Sequence, residues 1–113
     1  MARFLVTYHT AGMPQDPESV ATARKAFVEW AVKAGPALAD PGAPVRSTLV
    51  ISGNGSHDGW TAPPFLGWSV IEARDWNEAA RVVSDHPFIL MGCVLQISEP
   101  ITGDLNALGT AAT

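Results

Sequence analysis

Apolar residues recur along this chain in two different periods. The run F-L-V-T-Y-H, Phe4 to His9, collects aromatic and β-branched residues and predicts a strand. After the loop A-G-M-P-Q-D-P the period lengthens, and Val20, Ala23, Phe27, Trp30, Ala31 and Ala34 fall on one face of a helix. Asp16 is placed to cap that helix, with Pro17 at its first position and Glu18 in its first turn. Gly35 followed by Pro36 ends it. Ala37 to Arg46 is rich in Pro and Gly and reads as a connection. Ser47 to Ser52 predicts a second strand, Gly53 to Pro64 a long polar loop, and Phe65 to Ala73 a third strand that closes a hairpin with the second.

Asp75 opens a second helix, with Glu78 at capping-box spacing and Trp76, Ala79, Ala80 and Val83 on the inner face. The helix is expected to stop near Asp85, because Pro87 disfavours helical geometry at His86. Cys93 to Ser98 predicts the last strand, and residues 101–113 are expected to form a mobile tail. The order β-α-β-β-α-β predicts an α+β domain over residues 1–100 of the split βαβ, ferredoxin-like type. Two helices would cover one face of a four-stranded antiparallel sheet.

The other sheet face is where the pattern is unusual. Phe4, Val6 and Tyr8 share one side of the first strand, yet Leu5 is apolar too, and the third strand carries apolar residues on both sides, Trp68 and Val70 among them. A sheet with one wet face alternates apolar and polar positions. A second subunit is the simplest cover, so a homodimer is expected. Composition agrees: 113 residues with 47% hydrophobic and only 16% charged positions leave few charges to coat a small surface.

A net charge of −4 without a Lys/Arg cluster argues against nucleic-acid binding. The apolar run at the N-terminus is too short for a signal peptide, and no segment approaches the ~20 residues of a membrane helix. A cytoplasmic protein without membrane association is expected. One cysteine excludes an internal disulfide, and Cys93 reads as a small buried residue on a strand. No nucleotide, P-loop, nucleophile-elbow or zinc-protease motif is present, and the scattered His with one Cys gives no metal-site spacing, so neither cofactor nor metal is expected.

Candidate chemistry centres on S-D-H-P-F-I-L, Ser84 to Leu90. His86 is a general acid/base by residue type, or else a residue that suits a helix C-terminus. Asp85 meets the unfavourable end of the helix dipole, which suggests a role in orienting an imidazole or accepting an N–H. His9 ends the first strand and is a ligand contact or an exit to solvent. Asp40 is an acid at a pocket mouth or an Asx-turn. Trp30 and Trp68 are core or the walls of a substrate pocket, Trp60 is a lid or dimer contact, and His57 reads as solvated surface.

The segments R-F-L-V-T-Y-H, W-A-V-K-A-G-P-A-L-A-D-P-G-A-P, L-G-W-S-V-I-E-A-R-D-W-N-E-A-A and D-H-P-F-I-L-M-G-C-V-L-Q-I-S-E together resemble the YCII-related proteins of the dimeric α+β barrel superfamily. The resemblance spans roughly residues 3 to 100. It implies a homodimer whose two sheets face each other and close a barrel. It also implies a His–Asp acid–base dyad in some members, with elimination or isomerisation of small ring compounds as the chemistry. Asp85 matches the acid of that dyad. The family's His lies on the first helix, and this first helix has none, so His9, on the central first strand, would stand in for it. The expected function is a cofactor-independent lyase or isomerase acting on a small molecule. A non-catalytic ligand-binding or accessory protein and an oxygenase-type relative are the alternatives.

Overall fold

The computed structural model describes residues 1–10, 16–58 and 64–100. The C-terminal tail and Trp60 lie outside the described residues, as does the side chain of His57. The elements are β1 (Ala2–His9), α1 (Pro17–Ala34), β2 (Leu38–Pro44), β3 (Leu49–Ser52), β4 (Gly55–Asp58), β5 (Phe65–Ala73), α2 (Trp76–Ser84) and β6 (Val94–Ser98), with single 3-10 turns at Gly35–Ala37 and Pro87–Ile89. The main sheet is antiparallel throughout, in the order β2-β5-β1-β6. The domain is therefore α+β, with a four-stranded antiparallel sheet and two helices.

Both helices begin where their polar caps place them. Asp16 accepts from the Ser19 N–H at 2.8 Å, and Asp75 accepts from the Glu78 N–H at 2.9 Å. These bonds satisfy amides that have no partner inside the helix. The Glu78 carboxylate reaches back one residue beyond the cap, accepting from the Arg74 N–H at 3.1 Å and from its Nε at 2.7 Å. At the far end of α2 the backbone turns extended at His86, with φ −68° and ψ 127°, as Pro87 requires.

One sheet face carries the core. Phe4, Val6, Tyr8, Ile71 and Ala73 alternate inward from β1 and β5, and α1 meets them through Trp30, α2 through Ala79 and Val83. Trp30 ties the helices together by donating its indole N–H to the Val82 carbonyl at 3.2 Å. Trp76, at the start of α2, packs edge-on against Phe4 with ring centroids 4.9 Å apart. The opposite face carries Leu5, Val70 and Val94, and Val94 is 61% exposed.

The expected second strand is corrected. The Pro/Gly-rich segment read as a connection is the edge strand β2, and it is β2 that pairs with β5. Ser47–Ser52 does not form a hairpin with β5. Its Leu49–Ser52 portion pairs with Gly55–Asp58, inside the expected polar loop, as a separate two-stranded sheet. An edge strand needs partners on one side only, so Pro41 and Pro44 are tolerated there although proline cannot donate to a ladder. Register shifts between Leu38 and Asp40 and between Asp40 and Ala43 absorb the irregularity.

Candidate functional site

Those register shifts shape a pocket. Between α1 and the β2–β5 edge of the sheet lies a cavity of about 290 Å³. Val20, Ala23 and Phe27 of α1 form one wall, and the Pro41–Pro44 segment of β2 forms another. Tyr8, Leu66 and Phe88 add to the lining, Tyr8 being buried, and Cys93 contributes a buried thiol. Burial pushes that thiol above its ordinary range, which keeps it protonated and unreactive at neutral pH. Arg24 stands at the border of the pocket, one helical turn from Val20 and from Phe27. The lining is overwhelmingly apolar, with few polar groups to orient a ligand, the usual make-up of a small-molecule site.

Tyr8 anchors the deep end through a directed chain. Its hydroxyl lies 2.7 Å from the Ser69 hydroxyl, and Ser69 donates to the Pro41 carbonyl at 2.9 Å. A carbonyl can only accept, so the one proton of Ser69 goes to Pro41 and Tyr8 must donate to Ser69. The chain runs from Tyr8 through Ser69 to Pro41 and pins the β2 wall to the sheet. Burial pushes the Tyr8 phenol up to about 12, outweighing the lowering effect of its bond to Ser69. Tyr8 is therefore neutral at physiological pH.

His86 sits one layer behind this pocket. It is 1% exposed and packed among Trp30, Phe88, Tyr8 and Phe27, with ring centroids 4.3, 4.7, 5.2 and 5.7 Å away. Three of those rings, Tyr8, Phe27 and Phe88, are themselves pocket walls. Nδ1 accepts from the Phe88 N–H at 3.1 Å, capping the 3-10 turn. The neutral ring then carries its proton on Nε2, which is buried without a hydrogen-bond partner among the described residues. Desolvation lowers the imidazole pKa from 6.5 to about 4, so the ring is neutral at pH 7.

The other residues expected to act with His86 lie elsewhere. Asp85 turns away and forms an ion pair with Lys33 of α1 at 3.1 Å, half-exposed, beside a smaller cavity of about 180 Å³ that Trp30 and Arg81 also line. His9 lies on the sheet face opposite Tyr8, with Nε2 2.8 Å from the Thr7 hydroxyl and its ring edge-on to Phe65. Its Nδ1 is a buried atom without a hydrogen-bond partner among the described residues. Asp40 closes an Asx-turn by accepting from the Gly42 N–H at 2.8 Å. Trp30 is buried core behind the main pocket, whereas Trp68 does line it. No hydrogen bond or ion pair joins His9, Asp40, Asp85 and His86 to one another. Among the described residues no cluster of three or more His, Cys, Asp or Glu side chains is grouped to hold a metal ion, and no helix is long and apolar enough to cross a membrane.

Sequence reasoning passed over Arg24, Tyr8, Phe27, Leu66 and Phe88 as a site. For Arg24 a signal existed: it is a cation on the flank of an apolar helical stripe. For the others the site depends on β2 lying where a connection was expected. No family model matches the chain, and no curated protein matches it.

Proposed function

We propose that this domain binds a small, largely apolar molecule in the cavity between α1 and the β2–β5 edge. The observation that carries this reading is the separation of groups. The space is lined mainly by apolar side chains, while the histidines and carboxylates suited to proton transfer face away from it or lie behind its wall. His86 is shielded by Tyr8, Phe27 and Phe88, and Asp85 is engaged by Lys33. That separation favours ligand binding over the lyase or isomerase chemistry that the YCII-like segments imply, since a general base must reach the proton it moves, directly or through one water.

The strand order β2-β5-β1-β6 and the resemblance to YCII-related proteins support a ferredoxin-like domain that pairs with a second copy. Leu5, Val70 and Val94 on the open sheet face are the surface such a partner would cover. Sedimentation velocity at micromolar concentration is expected to give a dimer, and a Leu5→Asp, Val94→Asp double variant a folded monomer. A wild-type monomer would remove the homodimer from this reading.

Binding is tested directly by calorimetric titration with hydrocinnamyl alcohol, an uncharged ring with a short tail. One saturable site per chain is expected. Ala23 lines the pocket and is buried, so Ala23→Leu fills part of the cavity and is expected to weaken binding at least ~10-fold, a difference of about 1.4 kcal/mol. Intact binding in a folded Ala23→Leu variant would place the ligand elsewhere.

A further inference from the structure

We infer that the ligand of this pocket is a carboxylate amphiphile, whose apolar body packs between Phe27, Leu66 and Phe88 and whose carboxylate meets the guanidinium of Arg24. The inference rests on the ligand-binding reading above and adds the ligand's charge and polarity.

Arg24 is the one charged side chain among the described pocket-lining residues, and no acid accompanies it. Arg3, Lys33 and Arg74 each hold a carboxylate, at 3.2, 3.1 and 2.7 Å. Arg24, like Lys25, Arg46 and Arg81, has no ion pair among the described residues, and of these four it alone lines the pocket, where its planar donor fork meets a ligand. A guanidinium suits a carboxylate because two parallel N–H groups match two oxygens. A monoanion fits better than a dianion: one guanidinium balances one charge, and a chain of net charge −4 repels the second.

The deep end of the pocket points the same way. The Tyr8 proton is spent on Ser69, and the Ser69 proton on Pro41. Tyr8 therefore donates nothing to a ligand, and a carboxylate seated at that end would find no donor from it. The charged end belongs at the Arg24 border, where water remains, and the apolar end inside. A cavity of about 290 Å³ sits at the small end of ligand sites and suits one ring with a short chain.

The experiment compares hydrocinnamate with hydrocinnamyl alcohol, which differ in carboxylate against hydroxymethyl, by calorimetry on the intact protein. Hydrocinnamate is expected to bind roughly five-fold more tightly than the alcohol at low ionic strength. The advantage is expected to shrink in about 1 M salt, where the Debye length is about 3 Å. Arg24→Gln should remove the acid's advantage over the alcohol. Equal affinities in the wild type, or an acid preference that survives Arg24→Gln, overturn the carboxylate assignment while the pocket stands. Failure of both ligands to bind overturns the pocket reading and this inference with it.

Discussion

Replacing Gly42 by alanine is expected to destabilise the domain by roughly 2–5 kcal/mol, read as a lower urea midpoint with an unchanged slope. Two costs combine. Gly42 has φ +70°, a left-handed conformation that costs a residue with a Cβ about 1–2 kcal/mol. A Cβ there would also overlap the Trp68 carbonyl oxygen and come within 2.6 Å of the carbonyl carbon. The obstacle is backbone, so it cannot step aside as a flexible side chain would, and overpacking of this kind costs about 1–3 kcal/mol. Gly35 makes the control. Its φ is also positive, at 57°, but a Cβ there meets nothing within 4 Å, so Gly35→Ala should cost only the conformational part. Equal losses at the two sites would mean that close packing of β2 on β5 contributes nothing.

Acidification is expected to weaken the fold through His86. The folded imidazole holds a pKa of about 4 against an ordinary 6.5. Above pH 6.5 both folded and unfolded chains carry it neutral, and its contribution is fully present. As the pH falls from 6.5 towards 4 the unfolded chain takes up a proton that the folded one refuses, so stability drops by about 1.4 kcal/mol per pH unit. The loss is complete below about pH 4 and totals roughly 3 kcal/mol. His86→Asn retains an oxygen to cap the Phe88 N–H but does not titrate. It should start less stable, because Trp30, Phe88, Tyr8 and Phe27 lose a neighbouring ring. Its further loss between pH 7 and 4 should be smaller than that of the wild type by the His86 share. Carboxylates titrating in the same range affect both proteins, so the difference isolates the imidazole. Parallel pH profiles would show that His86 is no more buried than an ordinary surface histidine.

How much of this was legible depends on whether neighbours in sequence or in space decide. β1, α1, β5 and α2 follow from local periodicity and caps: Asp16 and Asp75 start their helices, and Pro87 fixes the geometry of His86 whatever surrounds it. β2 was missed because Pro41, Gly42 and Pro44 are the residues that mark turns. Only the presence of β5 on one side makes that segment a strand.

 The pocket followed β2 out of sight. Asp85 and His86 adjoin in sequence, and neighbours at a helix end are expected to point apart; what the sequence does not show is where each one goes. Asp85 finds Lys33 on the other helix, and His86 finds four aromatic rings drawn from β1, α1 and the 3-10 turn after α2. Those environments are tertiary, and no local pattern encodes them. The open sheet face was legible from Leu5 and Val70, because alternation alone assigns them to the side away from Phe4 and Ile71.

The two borders of the main sheet differ in their chemistry. β2 carries Pro41 and Pro44, which offer no N–H to an incoming strand, and its ladder is broken by register shifts. β6, Val94 to Ser98, contains no proline and pairs with β1 in unbroken register. Among the described residues, edge-to-edge growth of the sheet, whether into a filament or into an aggregate under mild denaturation, is therefore opposed at β2 and meets no such barrier at β6, so a lysine or proline introduced into β6 is where solubility would be gained.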